Sequence, residues 1–490
     1  GANPMPQHLN KVDAFKLITL RERSAMNWLN ITKIKTAISV TLALLACLNV
    51  EIAWANSQAL NDSSPSTILI KVEKSTADTS EKWVVTYTLT TPAKTLAFVR
   101  NPDTSRTTRW FAQDNDIEIV FDNVKHQELV RSKSGRPLST VSFLLTPTYK
   151  HLGKDYAPFS PFSDGGNAFH SGRLFACANT CTEEDNKWHL TLNVPSDEHI
   201  LLNGKVMKSS VSWTDNNDGR VVYVGKQQPI ITDDVVALID PGLPESIKAS
   251  LEEDIPNMMA FFSHSLNPLK GEKPMLFASY ANVDDHSTQG GTLPNQIFMH
   301  WNRQDLNEQA DNSSFVNQTL WFFAHEVAHL YQPGSTEGVS ENEDQSWLHE
   351  GNADYFAAIA MNFLYEDANS YVESRMTRAF ESCTEGLAQT TLARAYKNGH
   401  FNLYYSCGMI MHRAIDSVVQ QKTLGEESLF TVWKRLQKAV NSGMPPGTAT
   451  FLTLLEPYNA PELIKAINNA TSDDAFKAIQ GIETLYQLPE

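Results

Sequence analysis

The stretch "WFFAHEVAHLYQ", residues 321–332, decides how the rest of this sequence is read. His325 and His329 stand four residues apart, with Glu326 directly after the first. On an α-helix that spacing puts both imidazoles on one face, where they can share one tetrahedral ion. Glu326 then lies beside the open coordination position rather than in it. That is the place for a general base that takes a proton from a water activated by the metal. Zinc brings the pKa of such a water down to about 7, so hydroxide is available near neutrality. The competing reading is an ordinary amphipathic helix, because a bare H-E-x-x-H also arises by chance.

A catalytic zinc takes three protein ligands and keeps one position open. Working outward, the candidate third ligand is Glu350 in "WLHEGNADYF", residues 347–356. The intervening "QPGSTEGVSENEDQ", 332–345, is a turn-rich loop that lets a second helix, predicted over 346–366, fold back on the first, predicted from a serine cap at 313 to the residues before Pro333. Asp354 is four residues beyond Glu350 and so on the same helical face. It could accept the free N–H of a ligating histidine. His349 is a rival ligand that would point to a different side. Trp347, Leu348, Tyr355 and Phe356 argue against a fully solvated face here. The expected cofactor is one Zn2+ per chain.

H-E-x-x-H followed by W-L-x-E-G-x-A-x-Y resembles the gluzincin metallopeptidases, in particular the M1 aminopeptidase and M61 glycyl aminopeptidase families. The resemblance implies zinc on His325, His329 and Glu350, with Glu326 as general base. Twenty residues separate His329 from Glu350, two more than in the M1 pattern. These families also place a transition-state tyrosine in a Y-x-x-G context at the start of a later helix. "LYYSCGMIMHRAID", 403–416, offers Tyr405 for that role, with Tyr404 as its rival. "SPFSDGGNAFHSGRLFA", 160–176, is similar to the M61 segment preceding the catalytic domain. One departure stands out. M1 enzymes carry G-x-M-E-N on an edge strand, and its glutamate binds the substrate's free α-amine. The corresponding stretch here resembles "GGTLPNQIFMHW", 290–301, which puts Pro294 at the glutamate position. Gly290 and Gly291 remain candidates for substrate binding through strand pairing with a peptide. Amine capture would need Asp284, Asp285 or another carboxylate.

The surrounding pattern divides the chain. From about 60 to 235, "TILIKVE" (67–73), "WVVTYTLTT" (83–91), "DIEIVF" (116–121), "WHLTLNV" (188–194) and "RVVYVG" (220–225) read as short strands of a β-sandwich. After 236 a helix is expected over 243–266, kinked or divided at Pro256, then strands at 273–281 and 295–301, then helices to the end. The fold class is therefore α+β and multidomain. Residues 1–55 form a leader, 56–235 a β domain, and 236–490 a thermolysin-like mixed α/β and helical catalytic domain.

The 490-residue chain carries a net charge of −16, which argues against a nucleic-acid partner. The first 55 residues are instead basic, and "AISVTLALLACL", 37–48, follows them. Twelve apolar residues fall short of the about 20 that span a bilayer and match the h-region of a secretory signal. "AWAN", 53–56, supplies a cleavage pattern after Ala55, and Met26 is a candidate start. The rival is a lipoprotein signal acylated on Cys47, the one route to a membrane. Cleavage leaves four cysteines, which allow three pairings. Cys177 with Cys181 and Cys383 with Cys407 is the most economical, since it keeps each bridge within one domain. The expectation is an exported metallopeptidase, periplasmic or extracellular, acting on peptides or proteins. An aminopeptidase is the nearest alternative. A zinc-stabilised module that binds a protein without cutting it is the alternative from another class.

Overall fold

Alternation sets the first part of the chain. In Ile68–Lys74, Ile68, Ile70 and Val72 are buried while Leu69 and Lys71 face outward. Trp83–Ala93 repeats the pattern with Trp83, Val85, Tyr87 and Leu89 inside. The structure is a computed structural model that describes residues 68–488 except 76–81, 102–103, 147–158, 183–184, 217–218, 284–285, 334–337 and 340–341. The expected leader with Cys47, and Asp284 and Asp285, lie outside the described residues.

The five segments expected as strands are strands, and they belong to a β-rich region of three sheets. The six-stranded sheet runs in the order Ser210–Asn216, Lys187–Asn193, Ile68–Lys74, Trp83–Ala93, Leu138–Leu145, Trp110–Ala112. Ile68–Lys74 pairs parallel with Lys187–Asn193 and antiparallel with Trp83–Ala93. Its inward face meets residues of a four-stranded and a five-stranded sheet in one core containing Trp83, Tyr87, Phe98, Phe143, Phe159 and Phe169. The Cys177–Cys181 bridge lies beside this core.

The second part is built on a five-stranded mixed sheet in the order Ile230–Ile231, Val236–Ile239, Met275–Ala281, Gln296–Arg303, His286–Leu293. Val236–Ile239, Met275–Ala281 and Gln296–Arg303 are parallel to their neighbours among these three. They are buried over most of their length, as parallel strands covered on both faces must be. His286–Leu293 is the antiparallel edge. Pro294 and Asn295 turn the chain between Leu293 and Gln296, which pair directly. Proline presets the first turn position, and Asn295 takes the left-handed second at φ 60°.

Of the two expectations at Pro256, a kink or a division, helix Glu245–Ser265 excludes the division, since it is continuous through the proline. Leu251 and Ile255 before the proline and Met258, Met259 and Phe262 after it are all buried in the same core. The histidine helix is Ser313–Tyr331. Its cap is Asn312 and not the serine expected: the Asn312 side chain accepts from the Ser314 and Phe315 N–H groups. The glutamate helix spans Glu350–Leu364, starting later than predicted because 346–349 forms the turn that leads into it. The tyrosine helix is Asn402–Thr423, tied to helix Asn369–Leu387 by the Cys383–Cys407 bridge. Closing a loop of that separation is worth about 3 kcal/mol by chain entropy. Both disulfides are the pairs that economy of the sequence favours. A small apolar cluster including Phe162, Tyr223, Leu238 and Phe298 joins the β-rich region to the mixed sheet. No described helix is long and apolar enough to cross a membrane.

Candidate metal centre

The histidine helix is buried almost continuously from Thr319 to Tyr331. Trp321, Phe323, Ala324, Val327 and Ala328 fix it in the core, so His325 and His329 can point only where the fold leaves space. Its C-terminal end is held from outside: the Gln332 carbonyl accepts from Trp433 Nε1 at 3.0 Å and Gln437 Nε2 at 2.9 Å. Pro333 follows and ends the helix. Glu350 opens the glutamate helix, where the N-terminal dipole favours a carboxylate, while the histidines sit toward the C-terminal half of theirs, where it favours a cation.

The glutamate helix and the tyrosine helix come together through glycine. A Cβ on Gly351 would stand 2.3 Å from Gly408 Cα, and one on Gly408 would stand 2.6 Å from the Trp347 carbonyl oxygen. The glutamate and tyrosine helices therefore touch backbone to backbone. That contact gives the Y-x-x-G spacing its physical meaning, since Gly408 lets the helix approach closely enough to bring Tyr405 over the histidines. The Tyr405 ring stacks on His325 with centroids 5.6 Å apart. Burial comes first in holding the Tyr405 phenol above its ordinary pKa, followed by the carboxylates of Glu350, Glu326 and Asp354. It therefore stays a hydrogen-bond donor. Tyr404 faces the other way, buried, accepting from the Tyr396 N–H at 2.9 Å and donating to the Leu392 carbonyl at 3.1 Å.

His325, His329 and Glu350 form the one group of potential ligand atoms that converges among the described residues. His325 Nε2 and His329 Nε2 are 2.9 Å apart. Glu350 Oε2 is 3.1 Å from His329 Nε2 and 3.3 Å from His325 Nε2. Ligands at zinc distances in a tetrahedron stand roughly 3.4 Å apart, so the triangle fits within a few tenths of an ångström. The tautomers fit as well. Asp354 Oδ1, which also accepts from Trp321 Nε1, stands 2.9 Å from His325 Nδ1. Gln332 donates its Nε2 to the His349 carbonyl at 2.7 Å and to Asn352 Oδ1 at 2.8 Å, so its Oε1 must be the atom 2.8 Å from His329 Nδ1. Both Nδ1 atoms therefore carry hydrogen, and both Nε2 lone pairs face one point together with a carboxylate oxygen. A cation at that point turns the repulsion among the three into attraction. The same surroundings act on protonation. Burial opposes charging His325, yet Asp354 and Glu350 outweigh it and hold the imidazole well above its ordinary pKa. Burial likewise opposes charging His329, and Glu350 raises it. Burial alone would raise Glu350, but His329 and His325 hold it well below the usual carboxylate range.

The other sequence candidates are also placed. His349 Nε2 lies 3.4 Å from the second Glu350 oxygen, outside the converging triad. Asp354 orients His325. Its replacement by alanine is expected to weaken zinc affinity about 10–100-fold, with the fold retained, in a chelator competition titration. Glu326 is buried and projects into the same cleft of about 950 Å3 that Gly290, Gly291, Pro294, Glu350 and Tyr405 line. Gly290 is required by packing, since a Cβ there would meet Phe322 Cζ at 2.5 Å and the Phe298 carbonyl oxygen at 2.6 Å. Two residues escaped the sequence reading. Thr292 donates its hydroxyl to Glu326 Oε2 at 2.7 Å and lies 3.0 Å from the Glu326 carbonyl oxygen. Gln332 sets the orientation of His329. Its polar side chain directly after a helix, one residue before Pro333, was the only sequence signal for it.

No family model matches the sequence, and no curated protein does. Solved structures do. An aminopeptidase N family protein from Idiomarina loihiensis is similar with a TM-score of 0.57 at 12% identity, over 79% of this chain and 73% of that one. The M1 zinc metallopeptidase from Deinococcus radiodurans bound to a Tyr-Ser-Ala substrate scores 0.47 at 13% identity, over 81% of this chain and 92% of its own. Yeast LTA4 hydrolase in complex with bestatin scores 0.47 at 12% identity, over 86% of this chain and 68% of its own. The fold of this chain, a β-rich region followed by a mixed sheet and a helical C-terminal region, is thus that of the aminopeptidase N family protein.

Proposed function

We propose that the chain is a zinc metallopeptidase that hydrolyses peptide bonds, with one zinc held by His325, His329 and Glu350. The observation that carries this reading is the convergence of two Nε2 lone pairs and a carboxylate oxygen at one point, with each Nδ1 pinned by an acceptor. Zinc bound there supplies Lewis acidity to a water and to the peptide carbonyl. Glu326 takes the proton of the attacking water and delivers it to the leaving amine. Thr292 holds the Glu326 carboxylate toward the cleft. The Tyr405 hydroxyl donates to the oxygen that gains negative charge as the carbonyl is attacked. Mass-spectrometric digestion of a broad peptide pool tests the reading. Cleavage should occur, cease with a chelator and return with zinc. A zinc-loaded protein that cuts nothing in the pool would overturn it.

Export belongs to the same proposal. It rests on the basic n-region, the apolar run and "AWAN", and two intrachain disulfides suit an oxidising compartment. The exported protein should begin at Asn56 by N-terminal sequencing. A lipid on Cys47 would instead make it membrane-anchored.

A further inference from the structure

Tyr405 reaches the cleft from the weakest part of its helix. It is the fourth residue of Asn402–Thr423, and Phe401 at the cap position supplies no side-chain acceptor to the leading N–H groups. Leu403 and Tyr404 bond back instead to the His400 and Phe401 carbonyls, at 3.1 and 3.0 Å. Helix ends fray most readily, because their first N–H groups have no partner within the helix. A donor to a developing oxyanion has to keep its place, since a misplacement of about 1 Å can cost ~10²-fold in rate.

Two neighbouring helices meet this end. On one side Gly408 lies against the Gly351 backbone and the Trp347 carbonyl. Glycine permits that approach but does not enforce it, since no side chain spans the contact. On the other side stands helix Asn369–Leu387. A Cβ on its Gly386 would be 2.3 Å from Leu403 Cδ2, and its Cys383 is bonded to Cys407. Leu403 and Cys407 are four residues apart, and Cys383 and Gly386 three, so each pair shares one helix face. At about 100° per residue, Cys407 stands roughly 200° around the helix from Tyr405. The bridge therefore fastens the back of the turn whose front carries the phenol. Both cysteines are buried. Among the described residues theirs is the one covalent tie from this helix to another.

We infer that the Cys383–Cys407 disulfide, granted the peptidase reading on which the inference rests, is a positioning element for turnover as well as a staple of the fold. It holds the uncapped first turns against the glutamate helix and so keeps the Tyr405 hydroxyl where the oxyanion forms, with the ring stacked on His325. Without the bridge the glycine contact is still allowed but no longer enforced, and the turn samples positions from which Tyr405 does not reach that oxygen.

The test compares the zinc-loaded full chain with Cys383→Ala/Cys407→Ala, each with and without Tyr405→Phe. Bridge removal should lower kcat by about 10–100-fold. KM and zinc content should stay at wild-type values, because the lost contact is made only in the transition state. In the Tyr405→Phe background the same removal should change kcat by less than about twofold, since the two changes act through one contact and do not add. Hydrogen exchange of the amides of 405–408 should quicken without the bridge, a readout that needs no turnover. An equal kcat loss in both backgrounds would overturn the inference. So would a bridge-free protein with wild-type kcat, or with unchanged exchange at 405–408. If the alanine pair does not fold, Cys383→Ala/Cys407→Val, which refills the space of the two sulfurs, takes its place. Should neither fold, wild-type exchange decides: protection at 405–408 equal to that of 409–415 is expected, and rapid exchange there would contradict the inference. A zinc-loaded wild type that cuts no peptide would overturn the peptidase reading instead, with the exchange measurement still reporting on the bridge.

Discussion

Glu326→Gln is expected to lower peptide hydrolysis by about 10²–10⁴-fold while zinc content and the unfolding transition stay at wild-type values. The magnitude is the usual worth of a positioned general base. Glutamine keeps the volume and can still meet the Thr292 hydroxyl, which reaches Glu326 Oε2 at 2.7 Å. It cannot take a proton from water. Because Glu326 is outside the converging ligand triad, the metal should not notice the change. A variant with lost zinc would place Glu326 among the ligands. One with full activity would remove it from the mechanism. The assay needs a broad peptide pool, since a narrow panel can miss the preferred sequence.

Tyr405→Phe should keep the metal and lower turnover by roughly 10²–10³-fold, the cost of removing one donor to a developing oxyanion. The neighbouring Tyr404→Phe supplies the control. Tyr404 spends its hydroxyl on Leu392 and Tyr396, away from the cleft. Its loss should cost stability, about 1 kcal/mol for a net buried hydrogen bond, and should leave kcat nearly unchanged. Equal kinetic losses in the two variants would mean that the effect runs through packing of the tyrosine helix and not through an oxyanion contact.

What could be read from the sequence was whatever is local. The i, i+4 histidines on one helical face, and Glu350 with Asp354 on one face of the next helix, follow from helical periodicity; that the two faces meet was read from the turn-rich loop between them and from the resemblance to the gluzincin peptidases. The alternating strands follow from period two. What escaped depends on segments distant in the chain. Thr292 means nothing until the edge strand lies against the histidine helix. Gln332 gains its role only when the His349 carbonyl and Asn352 force its amide to turn its oxygen toward His329. Gly351 and Gly408 look like ordinary helical residues until their helices cross. The pairing of Ile68–Lys74 with Lys187–Asn193 joins segments with many others between them, so the division of the β-rich region into three sheets was not in the local pattern. The Asn312 cap was a choice among adjacent polar residues, all of which satisfy the rule for helix starts.

The central claim is that three side chains hold one zinc. Metal analysis of purified wild-type protein and of His329→Ala, each loaded with zinc and dialysed, tests it most directly. Wild type should retain close to one zinc per chain, and His329→Ala, which removes one corner of the triangle formed with His325 and Glu350, should retain little. Equal zinc in the two proteins, or none in either, would contradict the account.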